Sequence, residues 1–224
     1  MTAACLLILH ASEARLLFRA GKGRDGYVDG EVMLREATQA IDIFEARHPG
    51  CQMLGMFDNA TIHQKRPADG LSARRMTLKP KAEWFPVLDG VRMRDAQLPN
   101  GQSQLLYFPP DDPKISLRGH FKGTRQILSE RGKWFPMDAD AARDILFNEP
   151  DFVNQKSALE ELFISRGHIC DFYPKFHCEL NFIEQYWGAS KRRYRVTAAT
   201  QGTAEMQTNV IAALNAVTPL EILR

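Results

Sequence analysis

Cys51-Gln52-Met53-Leu54-Gly55-Met56-Phe57-Asp58-Asn59 is a short, mostly apolar run that stops at an acid and an amide. An apolar stretch of this length bounded by turn formers reads as a buried strand. Residues 51–57 are therefore expected to be one, with Asp58 at its carboxyl end. Upstream, residues 31–47 place Met33, Ala37, Ala40, Ile41 and Phe44 on one face at helical spacing. Glu31 and Glu36 toward the start and Arg47 at the end suit the helix dipole, and Pro49-Gly50 stop the helix. Downstream, residues 168–173 read as a second strand between Gly167 and Pro174, followed by a helix over 181–194 that carries Glu184 early. Strands alternating with helices predict an α/β fold, a mixed sheet flanked by helices. Open sheets of that class place their sites at strand carboxyl ends, where Asp58 lies.

The remaining chain fills in around this frame. Residues 5–10 and 14–19 read as two short strands. Gly21-Lys22-Gly23-Arg24-Asp25-Gly26 lacks the Gly-Lys-Ser/Thr ending of a phosphate loop and reads as a solvated hairpin turn. A short helix is expected at 68–76. From 77 to 118 the chain carries Pro80, Pro86, Pro99, Pro109, Pro110 and Pro113, a density that forbids long helices and central strands. One strand, 104–108, is expected within it. Helices are expected at 120–131, 140–148, 155–166 and 203–216. Residues 1–224 thus read as one domain with a long irregular insertion at 77–150.

Composition excludes little. With 44% hydrophobic and 25% charged residues the chain has ordinary globular composition, and no apolar run nears the roughly 20 residues of a membrane helix. A net charge of +2 is too mild to demand nucleic acid, so the distribution of charge must carry any such argument. Cys5, Cys51, Cys170 and Cys178 are scattered, which suits a reducing compartment.

Asp58 and Glu184 are the chemically telling pair. If their two strands are neighbours, the helix bearing Glu184 crosses near the end of the first strand and two carboxylates meet at one rim. Such a pair suits Mg²⁺ or Mn²⁺, hard ions that prefer oxygen, and like charges so close are costly without a cation. Paired ions of this kind activate water and stabilise a leaving oxygen in phosphodiester cleavage. His168, Cys170, His177 and Cys178 are zinc-ligand types, but no Cys-x-x-Cys pair accompanies them, and they read as buried structural residues. Lys191-Arg192-Arg193-Tyr194-Arg195 is either a dipole-matched helix end or a phosphate grip beside Glu184. Lys65-Arg66 and Arg74-Arg75 pose the same choice. Trp84, Trp134 and Trp187 read as packing residues.

Phe57-Asp58-Asn59-Ala60 with His63 resembles the second-acid motif of the mariner-like DNA transposases. Residues 174–191 resemble their third-acid motif, matching it at Glu179, Leu180, Asn181, Ile183, Glu184, Trp187 and Lys191, with Phe182 in place of the usual proline. Residues 21–26, 58–63, 122–132 and 172–184 are similar to segments of the large transposase-like proteins of filamentous fungi. The resemblance implies a ribonuclease-H-like fold, with Asp58 and Glu184 as catalytic metal ligands for Mg²⁺ or Mn²⁺. It also implies DNA as partner, a nuclear location, Asn59 and His63 supporting the site or the strand, and Lys191, Arg192 and Arg193 contacting DNA. The family's first acid lies upstream of the segment matching residues 14–26, whereas residues 1–12 contain no Asp or Glu. Glu13 and Asp25 are the possible substitutes. The chain therefore reads as an endonuclease domain impaired by the missing acid or as a non-catalytic remnant that binds nucleic acid or protein.

Overall fold

The computed structural model describes Phe18 and residues 21–86, 90–197 and 202–222, so the strand expected at 5–10, nearly all of that at 14–19, and Glu13 lie outside the described residues. In chain order the elements are α1 (Gly30–Arg47), β1 (Leu54–Phe57), β2 (Ala96–Gln97), β3 (Ser103–Gln104), α2 (Gly123–Glu130), α3 (Ala139–Phe147), α4 (Pro150–Val153), α5 (Ala158–Ser165), β4 (Ile169–Phe172), α6 (Phe182–Arg195), α7 (Thr203–Asn215) and α8 (Pro219–Ile222). This is a mixed α/β fold with small sheets. The chain forms two compact units, Met1–Lys65 with Leu159–Arg224, and Arg66–Ala158. No helix of the described residues is long and apolar enough to cross a membrane.

In the first unit β1 and β4 pair in parallel, Leu54 opposite Ile169 and Phe57 opposite Phe172. Parallel strands need a long crossover, and the chain makes it through the second unit and α5. The inner face is set by sequence alternation. Phe57 packs with Met53, Leu159, Phe163 of α5, and Ala37 and Ile41 of α1. Burying each large side chain contributes about 1.5–3 kcal/mol. Gly55 permits the closest approach, because a Cβ there would lie 2.6 Å from Phe163 Cζ. α1 buries Met33, Ala37, Ala40 and Ile41 as its spacing requires, with Phe44 at the margin. Its cap is Asp29, whose Oδ1 accepts from the N–H groups of Glu31 (2.9 Å) and Val32 (3.0 Å). Residues 21–26 form a tight turn closed by the Gly21 N–H to Gly26 carbonyl bond of 2.8 Å, its tip exposed.

The second unit, which contains residues 77–150, has its own core around Met76, Trp84, Leu106, Phe121, Ile127, Leu128, Leu146 and Phe152. The prolines keep its sheet to the two-residue antiparallel pair β2–β3. Residues 104–108 are correspondingly not one strand; pairing stops at Gln104 and resumes only as a bridge from Tyr107 to Phe121. The helix expected at 68–76 is also absent. There the Leu71 N–H donates to Gln155 Oε1 (2.8 Å) and the Leu71 carbonyl accepts from Arg66 (2.5 Å). Side chains thus satisfy backbone groups that a helix would have paired. The Arg131 side chain is buried, 1% exposed, and its guanidinium donates to Glu149 (2.9 Å) and Asp151 (2.8 Å). Lys133 closes the network on Glu149 at 2.5 Å.

Candidate functional site

β1 ends at Phe57 and delivers Asp58 to the rim of the first unit. The next residues lock it there. Asp58 Oδ1 accepts from the Ala60 N–H at 3.0 Å and lies 2.7 Å from His63 Nδ1. His63 Nδ1 is also 3.0 Å from the Asp58 carbonyl oxygen. Both neighbours are acceptors, so Nδ1 carries the proton. His63 is 5% exposed and stands edge-on to Phe57, ring centroids 5.4 Å apart. Its Nε2 has no hydrogen-bond partner among the described residues. Asn59 ties the two strand ends together: its Nδ2 donates to the Tyr173 carbonyl, and its Oδ1 accepts from Gln64 at 3.1 Å.

Glu184 arrives from the other side of the same rim. After β4 the chain turns at Pro174, and Asn181 caps α6 by accepting the Ile183 N–H at 3.4 Å, with Glu184 in the first helical turn. Asp58, Asn59 and Glu184 line one cavity of about 350 Å³ together with residues 173–177 and Asn181. The neighbourhood of the two strands, on which the convergence of the acids depended, is thus present. Among the described residues no third acid lines the cavity, and Asp25 sits in the exposed turn at 21–26. Asp58 Oδ2 and the Glu184 carboxylate meet no protein donor among the described residues. Both residues offer carboxylate oxygens, the ligand type that hard divalent cations prefer.

Three residues of the rim were not read from the sequence as lining this site. Phe176 lines the cavity with its ring 98% exposed and its backbone left-handed at φ 68°. A bulky residue in that conformation costs about 1–2 kcal/mol. His177, expected to be buried, is exposed on the same cavity, and its Nδ1 lies 2.7 Å from Glu179 Oε1. The His177 imidazole, helped by a backbone N–H, holds the Glu179 carboxyl below its ordinary range against a small burial effect. Lys175 is the cation of the lining. These residues stood in the quoted motif, but nothing in their spacing marked them as cavity-facing.

The basic run of α6 divides by role. Lys191 lies two turns beyond Glu184 and is exposed, as is Arg192, and neither lines the cavity. Arg193 pairs with Glu221 of α8 at 2.6 Å. The Thr218 N–H first, then Arg193, hold Glu221 at about 2. Arg66 donates to the carbonyls of Leu71 and Phe152, while Lys65, Arg74 and Arg75 are exposed. His168 and Cys170 are not gathered with His177. His168 Nδ1 accepts from the Met53 N–H at 3.3 Å, and Cys170 packs against the core. Trp84 is buried and stacked on Phe121, centroids 4.0 Å apart. No family model, curated protein or solved structure matches the chain.

Proposed function

We propose that the chain derives from the catalytic domain of an acidic-triad DNA transposase with a ribonuclease-H-like arrangement, acting on DNA in the nucleus. The observation that supports this most is the shared cavity of Asp58 and Glu184, residues 126 positions apart, brought to one rim by parallel strands. Asp58 Oδ2 and Glu184 would hold Mg²⁺ or Mn²⁺, which would supply polarisation of a water and of the leaving oxygen at a phosphodiester. The protein's own part is positional. His63 and the Ala60 N–H fix one oxygen of Asp58, and the other meets no protein donor among the described residues. Asn59 holds the strand ends in register. Lys175 offers a positive charge to a phosphate entering the cavity.

The second reading, a non-catalytic remnant that binds nucleic acid or protein, is favoured by one observation: the described cavity lining contains two carboxylates and no third. An ion held by two acids binds weakly, so cleavage is expected to be slow. Incubating the purified chain with supercoiled DNA and Mn²⁺ separates the readings. Slow nicking that vanishes in Asp58→Asn and in Glu184→Gln supports the enzyme. Nicking absent from the wild type, or unchanged in both variants, removes it.

A further inference from the structure

The second unit holds a cavity of about 300 Å³ lined by Glu83, Trp84, Arg92, Tyr107, Arg118 and His120, among others. Its two arginines are held through carbonyl oxygens, whereas Arg94, Arg131 and Arg143 of the same unit pair with carboxylates. Arg92 donates from Nη2 to the Gly119 carbonyl at 3.1 Å, and its guanidinium lies 5.0 Å over the Tyr107 ring. Arg118 donates from Nε to the Asp112 carbonyl at 2.8 Å. Both bonds end on neutral backbone oxygens. Among the described residues neither meets a carboxylate. Arg131 and Arg94, by contrast, are paired with carboxylates at 2.9 Å or less.

The backbone is shaped to present these groups. Gly119 is left-handed at φ +74°, and a Cβ there would come within 3.3 Å of Arg92 Nη2. Any side chain at that position would press on the guanidinium. Glu83, on the same lining, is a non-glycine residue at φ 47°, a strained conformation that concentrates at functional sites. Tyr107, whose O–H donates to the Trp84 carbonyl at 3.3 Å and accepts from the Met93 N–H at 3.1 Å, gives Arg92 a rigid platform. Guanidinium forks held in place match the oxygens of phosphate.

We propose that this cavity is a phosphate-binding site, with Arg92 and Arg118 as its forks, taking the backbone of a polynucleotide. The site stands apart from the Asp58–Glu184 cavity and does not require that the chain cut DNA.

The test uses the full chain with a fluorescein-labelled thymidine oligonucleotide, read by anisotropy across a salt series, and separately with inorganic phosphate, read by thermal midpoint. For the double variant Arg92→Gln/Arg118→Gln, affinity is expected to fall roughly tenfold at moderate salt. The slope of log affinity against log salt is expected to fall by about 1 to 2, in proportion to two lost phosphate contacts. A wild type that ignores the oligonucleotide but is stabilised by phosphate, with the double variant losing that response, assigns the same chemistry to a small phosphate ligand. If the double variant folds poorly, Arg118→Gln alone decides, since Arg118 is exposed and makes a single side-chain bond. Variants that bind both probes as the wild type does, or a wild type that binds neither, overturn the proposal. A chain that never nicks DNA yet loses oligonucleotide affinity in the double variant keeps this site and sinks the enzyme reading.

Discussion

Gly55→Ala tests the contact that sets β1, and with it Asp58, in place. In a strand interior alanine is ordinarily better than glycine by about 0.5–1 kcal/mol, because glycine has more conformational freedom to lose. Here the added methyl would lie 2.6 Å from Phe163 Cζ, whereas carbons pack at about 3.5–4.0 Å. Something must yield by about 1 Å. Phe163 is 1% exposed and stands edge-on to Phe57, centroids 5.7 Å apart, so its ring has nowhere to turn. Overpacking of this kind costs about 1–3 kcal/mol, which outweighs the backbone gain and reverses the sign. The expected result is a net loss of about 0.5–2 kcal/mol in urea unfolding followed by circular dichroism, with faster amide exchange over residues 54–57. Placed in a Phe163→Leu background, the same substitution should cost about 1 kcal/mol less, a coupling that only contacting residues show. A neutral or stabilised Gly55→Ala protein, or a cost unchanged by Phe163→Leu, refutes the packing described.

Other outcomes follow from the same reasoning. Arg131→Met should destabilise the second unit by about 3–5 kcal/mol, because it leaves Glu149 and Asp151 buried with less compensation; chemical unfolding measures it. Burial acts to raise Asp151, but the Arg131 hydrogen bond and the Gln97 N–H outweigh it and hold the carboxyl below its ordinary range. A depressed carboxylate contributes its stability above the unfolded value near about 4 and loses it as pH falls through the lower folded value. Wild-type stability should therefore fall as the pH drops below about 4, and Asp151→Asn should flatten that part of the profile. Asn181→Ala removes the cap of α6 and should cost about 1 kcal/mol, read as a lowered thermal midpoint. Phe176→Gly relieves the left-handed backbone while removing a ring that buries almost nothing, so the thermal midpoint should hold or rise.

The sequence showed most clearly those elements that a single periodicity dictates. The α1 face and the Gly55–Phe57 side of β1 bury the residues their spacing selects, the helix carrying Glu184 buries Tyr186 and Ala189, and the strands after Gly167 and before Asp58 are less buried than their apolar runs suggest, with Ile169 and Leu54 exposed. What stayed hidden depended on partners distant in sequence. Residues 68–76 have helix-compatible composition, but Gln155 and Arg66 take the Leu71 backbone groups, and no local pattern announces a side chain 84 residues away. The cavity-facing places of Phe176 and His177 were hidden for a different reason. They are fixed by a turn at Pro174 and by Glu179, where exposure rather than burial is the signal.

The departures from ordinary folding rules around Asp58 have a common location. His63 is buried with Nε2 unpartnered among the described residues, an omission costing about 1–3 kcal/mol. Phe176 combines a left-handed backbone with an almost fully exposed ring. Glu184, exposed in the first turn of α6, lines the cavity that Asp58 shares. The costs at His63 and Phe176 lie beside the cavity that Asp58 and Glu184 line, and strain of this kind clusters at functional sites. The proposed binding of a charged substrate gives a reason for their retention. If that is correct, Phe176→Gly and Glu184→Gln should each leave the thermal midpoint unchanged or higher while weakening DNA binding or nicking. A loss of stability in both variants would make these residues parts of the scaffold, and the rim would then carry no mark of function beyond its two acids.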